Sequence, residues 1–216
     1  MGFNLLDIDQ WNRKEYYLHY IQNLRCTYSL TTNIDITFLK HEMSRRSHKI
    51  YPALIYMITT AVNRQKEFRM DHDSDGRLGY WNELSPSYTV FNQDNETFSS
   101  IWTGYDSSFA KFYHECMQDI STYSGSTSMM PKPHMPRNTF NISSIPWTDF
   151  TAFNLNVYNE GLYLLPIFTI GKFIRQEDKI LMPLAVQVHH AVCDGFHLGR
   201  FINNLQELAD HYMDWM

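Results

Sequence analysis

The strongest constraint on the fold is the run from Leu165 to His190, "LPIFTIGKFIRQEDKILMPLAVQVHH". It is almost continuously apolar, breaks once at the polar "RQED", and ends in two histidines. Aliphatic and β-branched residues on both sides of a short polar turn predict a hairpin whose strands are buried on both faces. "AVCDG" follows, and from Phe196 to about Tyr212 the apolar residues Leu198, Phe201, Ile202, Leu205, Leu208 and Ala209 recur at the period of a helix. A strand, a tight turn and a helix in direct succession fix the side chains at the junction.

Upstream, helical spacing is expected through Trp11, Tyr16, Tyr20 and Leu24. Further helices are expected over "YPALIYMITTAVNRQ" and over "SSFAKFYHECMQDIS", the latter with Ser107 or Ser108 as cap. Strands are expected at "CTYSLTTNIDIT", "PSYTVFN", "ETFSSIWT", "NTFNISSIPW" and "FTAFNLNVYN", and a long proline-bearing loop at Ser121 to Asn138. These elements predict one α/β domain over residues 1–216, a mixed β-sheet flanked by helices.

At 216 residues the chain can bury a sizeable core unaided. A net charge of -5 argues against a nucleic-acid surface, which needs clustered cations. The three cysteines, Cys26, Cys116 and Cys193, form no CxxC pair and read as reduced thiols of an intracellular protein. With no signal-like start and no apolar run near the ~18 residues of a membrane span, the expectation is a cytoplasmic protein without membrane partners.

In "LAVQVHH" the strand period puts Leu184, Val186, Val188 and His190 on one face and Ala185, Gln187 and His189 on the other. His190 ends the apolar row, where a partly desolvated neutral imidazole can serve as a proton acceptor. Asp194, just before Gly195, suits a helix cap or an ion pair that holds the turn. Adjacent strand histidines point apart, so a zinc site is disfavoured, and Cys193 and His197 read as bystanders or pocket wall. "DHDSDGRLGYWN" begins like a calcium loop but has Asn82 where that loop needs a bidentate Glu, and reads as a hairpin turn. No metal is expected.

"HHAVCDG" (His189 to Gly195) resembles the HHxxxDG signature of chloramphenicol acetyltransferases, which dihydrolipoyl acyltransferase cores and peptide-synthetase condensation domains share. "WNRKEYYLHY", "CTYSLTTNIDIT", "YPALIYMITTAVN", "FNISSIPWTDFTAFNLNV" and "PLAVQVHHAVCDGFH" with "RFINNLQEL" resemble the trimeric chloramphenicol acetyltransferases in order and spacing, along almost the whole chain. The resemblance implies that fold, a homotrimer with active sites at subunit interfaces, and acetyl transfer to chloramphenicol. Acetyl-CoA would be a co-substrate, and no tightly bound cofactor is implied. It makes His190 the general base and Ser143 of "NIS", not Ser144, the oxyanion donor. It also makes Asp194 the partner of Arg13 in a structural salt bridge. For the acceptor pocket it implies Tyr20, Cys26, Tyr28, Phe153 and Leu155. On the CoA side it implies Thr169, Lys172 and Lys49. The rivals it leaves are a dihydrolipoyl acyltransferase-like core and a non-catalytic trimer that binds amphenicols or CoA.

Overall fold

The structure is a computed structural model that describes residues 2–155, 157 and 161–216. In chain order its elements are β1 (Phe3–Leu5), α1 (Lys14–Leu18), β2 (Thr27–Asp35), α2 (Thr37–Arg45) and α3 (Ile50–Asn63). Next come β3 (Met70–His72), β4 (Leu78–Trp81), β5 (Ser85–Asn92), β6 (Thr97–Trp102) and α4 (Phe109–Tyr123). The last are β7 (Thr139–Ile145), β8 (Ile167–Gly171), β9 (Ile174–Gln176), β10 (Lys179–His189) and α5 (Gly195–Asp210).

The main sheet runs β2-β10-β8-β7-β5-β6, with β9 beside the start of β10. Its β5–β7 and β7–β8 pairings are parallel and the others antiparallel, so the sheet is mixed as expected. A small sheet, β1-β4-β3, carries the amino-terminal segment. The hairpin at "RQED" forms between β9 and β10, with Glu177 at φ 53 in its turn.

One face of the main sheet carries Tyr88, Ile142, Phe168 and Val186 into the core beneath the helices. α3 is apolar nearly all round and buried from Pro52 to Val62 apart from Thr60, the pattern of a central helix. Pro52 is tolerated because its missing N–H falls in the first turn. Phe140, Phe168, Phe201 and Phe68 pack in series at centroid distances of 5.6, 5.3 and 4.6 Å, edge-on, tilted and stacked in turn. Burial of each ring contributes about 2 kcal/mol and ties β7 and β8 to α5 and to the 3-10 turn Lys66–Arg69. α5 buries Leu198, Phe201, Leu205 and Leu208, the stripe anticipated from its spacing.

Three local expectations need correction. The helix expected through Leu24 keeps α-geometry only to Leu18, and His19–Asn23 widen into a π-turn. "TFLKHEMSR", whose Thr37 ended an expected strand and whose remainder was unassigned from sequence, is helix α2, which buries only Leu39 and Met43 and so shows little apolar period. "FTAFNLNVYN" forms no strand over its described residues, 150–155 and 157; residues 156 and 158–160 lie outside the described residues. A strand needs a ladder, and here the Phe153 N–H bonds the Thr31 hydroxyl instead. The calcium-like loop is the β3–β4 turn: Asp73 accepts the Asp75 and Arg77 N–H groups and pairs with Arg77, and Gly76 adopts φ +76. No group of three or more metal-ligating side chains occurs among the described residues.

Candidate active site

β10 delivers the histidine pair. His189 is its last residue, and the His190 N–H continues the ladder to the Cys26 carbonyl at 2.9 Å. His189 is buried, with both ring nitrogens committed to backbone: Nε2 bonds the Gly161 carbonyl at 2.9 Å and Nδ1 accepts the Ala191 N–H at 3.1 Å. It is therefore a neutral imidazole protonated on Nε2. Burial, opposed in part by the Gly161 bond, holds its pKa below the ordinary 6.5, and burial does the same to His72.

That pair sets a pH dependence. Both folded-state values lie below the unfolded value, so as pH falls through about 6.5 the unfolded chain takes up protons that the native state refuses. Stability should decline there. A melting temperature unchanged between about pH 7.5 and 5.5 would contradict this.

His190 has a different setting. The Tyr20 ring, carried by the π-turn, stacks on it at 4.2 Å and an interplanar angle of 9°, and Tyr28 of β2 lies 5.2 Å away, tilted. Its Nδ1 is sealed from solvent and has no hydrogen-bond partner among the described residues, so Nε2 is the ring nitrogen left to meet a substrate. Behind it, burial pushes the Cys193 thiol up to about 12, with the nearby Asp194 and Glu67 adding to the effect, so Cys193 is a buried thiol and not a nucleophile. Burial likewise raises the Tyr28 hydroxyl, with Cys193 and Asp194 adding to it.

Asp194 caps α5 by accepting the Phe196 and His197 N–H groups at 3.1 and 3.4 Å, while Oδ2 takes Arg13 at 2.5 Å. Burial alone would raise its pKa, but the Arg13 guanidinium and the backbone N–H groups of the cap outweigh it and hold the carboxylate below its usual range. Its hydrogen-bond and ion-pair partners among the described residues do not include His190 and tie the turn to α5 and to Arg13.

The other anticipated residues lie elsewhere. Ser143, Thr169, Ala185 and Thr31 form one cross-strand row over β7, β8, β10 and β2, on the face opposite the core row. Phe153 joins the end of this row through Thr31. Leu155 is exposed. Ser144 is paired with Ile170 on the helix-packed face, which confirms that the two serines point apart. Ser143 lies two strands across from β10 and five residues up the row from His190. At ~4.8 Å between strands and ~3.3 Å per residue, the separation within one chain is roughly 20 Å. The anticipated site thus falls into two groups, His190 with Tyr20, Cys26 and Tyr28, and Ser143 with Thr169 and Phe153.

A cleft of about 650 Å³ opens at the carboxyl ends of β7 and β8. Ser143, Ser144 and Lys172 line it among apolar walls that include Tyr51, Phe91, Phe98, Trp147 and Phe173. Lys49 stands at its edge as N-cap of α3, its N–H bonded to the Tyr113 hydroxyl. Sequence reasoning missed these aromatic walls. Phe91 and Phe98 face each other across the β5–β6 hairpin, but Tyr51, Trp147 and Phe173 come from three other segments that no local spacing marks as neighbours.

A family model described as chloramphenicol acetyltransferase matches residues 1–206. The chain is 58% identical over 216 residues to a chloramphenicol acetyltransferase of Clostridium perfringens, covering 100% of this chain and 99% of that protein. To that of Clostridium butyricum it is 56% identical with the same coverage, and to one from Staphylococcus aureus 47% over the full length of both. A solved chloramphenicol acetyltransferase structure superposes with a TM-score of 0.86 at 22% identity, over 96% of this chain and 100% of that one. A dihydrolipoamide acetyltransferase from Azotobacter vinelandii gives 0.71 at 17% identity, over 99% and 92%, which shows the shared fold alone. The chain belongs to the chloramphenicol acetyltransferase family.

Proposed function

We propose that the protein transfers the acetyl group of acetyl-CoA to the 3-hydroxyl of chloramphenicol and so inactivates the antibiotic. His190 Nε2 takes the hydroxyl proton as the oxygen attacks the thioester carbonyl. Ser143 donates a hydrogen bond to the oxyanion of the tetrahedral intermediate. Collapse breaks the C–S bond, and His190 returns the proton to the departing CoA thiolate. No acyl group rests on the protein. The observation that carries this reading is the setting of His190, whose sealed Nδ1 and stacked ring leave Nε2 as the presented base.

The working unit is a homotrimer with its sites between subunits. Its support is the roughly 20 Å between His190 and Ser143, which one chain cannot close and a second copy can. Exposed Met129 and Met130 give apolar surface for such a contact. Tyr20, Cys26 and Tyr28 then enter the site with His190. Ser143, Thr169, Phe153 and Leu155 enter from the neighbour. The cleft lined by Lys172 and edged by Lys49 suits the pantetheine arm of CoA, apolar along its length with cations near the phosphates. The described residues contain no helix long and apolar enough to cross a membrane, and the reading is of a cytoplasmic enzyme with no nucleic-acid partner.

The experiment is thiol release: purified protein with acetyl-CoA should liberate free CoA only when chloramphenicol is added. Chloramphenicol binding without thiol release would favour the non-catalytic trimer. Thiol release with dihydrolipoamide but not chloramphenicol would favour the acyltransferase-core alternative.

A further inference from the structure

His197, read from sequence as a bystander or pocket wall, is buried at the centre of a polar network. The Asp194 N–H points at its Nδ1 at 3.2 Å, while Asp194 Oδ1 accepts the His197 N–H, and together these form a reciprocal capping box. Nε2 faces Glu67 Oε1 at 3.6 Å. Glu67 is held by Arg200 at 2.9 Å, and Arg200 also donates to Gln65 at 3.2 Å. Asp194 is held in turn by Arg13. The charged groups around the ring are therefore Asp194 and Glu67, each with its own arginine. His197 joins the catalytic turn to the 3-10 segment Lys66–Arg69, and Asp194 joins it to the start of α1.

We infer that His197 is a positioning residue for the acetyl transfer, holding the His190–Asp194 turn by accepting the Asp194 N–H at Nδ1 while its Nε2–H faces Glu67. An N–H acceptor at this third helical position is what a capping box requires, and Glu or Gln commonly fill the role. Nδ1 also lies 2.8 Å from Asp194 Oδ1. That is hydrogen-bond distance for an Nδ1–H, so the competing arrangement puts a proton on Nδ1, bonds it to the carboxylate and leaves the Asp194 N–H without its acceptor. His190 is four residues from Asp194 in a turn of bonds Val192 N–H and Cys193 N–H to the His189 carbonyl, at 3.2 and 3.0 Å, so a loosened cap moves the base.

The test compares His197→Leu, which removes the acceptor, with His197→Gln, which restores it. For His197→Leu, kcat should fall about tenfold, the order expected when a catalytic group shifts by a fraction of an ångström, with both KM values within about twofold of wild type. His197→Gln should recover at least about half of the wild-type kcat. Wild-type kcat in His197→Leu, or His197→Gln as impaired as His197→Leu, would overturn the inference. Should His197→Leu not fold, the wild-type long-range proton–nitrogen spectrum decides: the neutral Nε2–H tautomer supports the inference and a protonated Nδ1 ends it. This rests on His190 being the base, so His190→Ala is run in parallel. Retained turnover in His190→Ala defeats that reading, whereas an inactive His190→Ala with an unimpaired His197→Leu defeats only the present inference.

Discussion

Replacing His190 with alanine is expected to lower kcat on the order of 10²- to 10⁴-fold, the usual contribution of a positioned general base. The KM for acetyl-CoA should change little, because the imidazole is asked to act on the proton in transit and not to hold the co-substrate. Loss of the ring also unstacks Tyr20, now 4.2 Å from it, so a modest weakening of chloramphenicol binding is expected beside the larger loss in kcat. The fold should survive. The backbone bond from the His190 N–H to Cys26 is untouched by the substitution, and the neighbouring His189 keeps its two backbone bonds. Single-turnover measurement with acetyl-CoA and chloramphenicol separates the chemical step from product release.

The second large effect lies at the clamp. Asp194 combines an ion pair with a helix cap, and Asp194→Ala removes both. The pair is partly accessible, with side-chain exposures of 14% for Arg13 and 32% for Asp194. Its disruption should therefore cost about 2 kcal/mol, less than the ~3–5 kcal/mol of a fully buried pair. The cap adds about 1 kcal/mol. Asp194→Asn should keep the cap, since asparagine is an equally good N-cap residue, and lose only the pair. The stability order wild type, Asp194→Asn, Asp194→Ala in chemical denaturation checks this, and equal losses for the two variants would contradict it. Because the folded-state pKa of Asp194 is depressed, the stability it contributes is present above the ordinary 3.8 and lost as pH falls below it. Arg13→Ala leaves the carboxylate capped but unpaired and should fall between the two.

The elements that repeat a period over many residues were legible in the sequence. β10 and α5 appear where alternation and helical spacing put them, and with them came His190, Asp194 and the capping geometry. The Arg13–Asp194 pair spans 181 positions in sequence, and only the family resemblance marked it beforehand. The π-turn left no sign, since widening one turn of a helix changes hydrogen bonding and not composition. "FTAFNLNVYN" carries a strand's alternation, yet alternation states a preference that only a neighbouring strand can satisfy. The network around His197 was not legible for a related reason. Its meaning lies in Glu67 and Asp194 together, and Glu67 comes from a 3-10 turn whose placement against α5 no local pattern encodes.

The division of one sheet's residues into two distant groups is the structural core of the account, and it has a direct test. Co-expression of His190→Ala chains with Ser143→Ala chains should produce mixed trimers. At some of their interfaces an intact His190 meets an intact Ser143. Each parent alone should release CoA thiol at no more than about 1% of the wild-type rate, since each lacks one half of every site. In randomly mixed trimers about a quarter of the interfaces pair two intact halves, so thiol release should recover to about a quarter of the wild-type rate. A mixture no more active than its parents, despite verified co-assembly, would contradict a site shared between subunits.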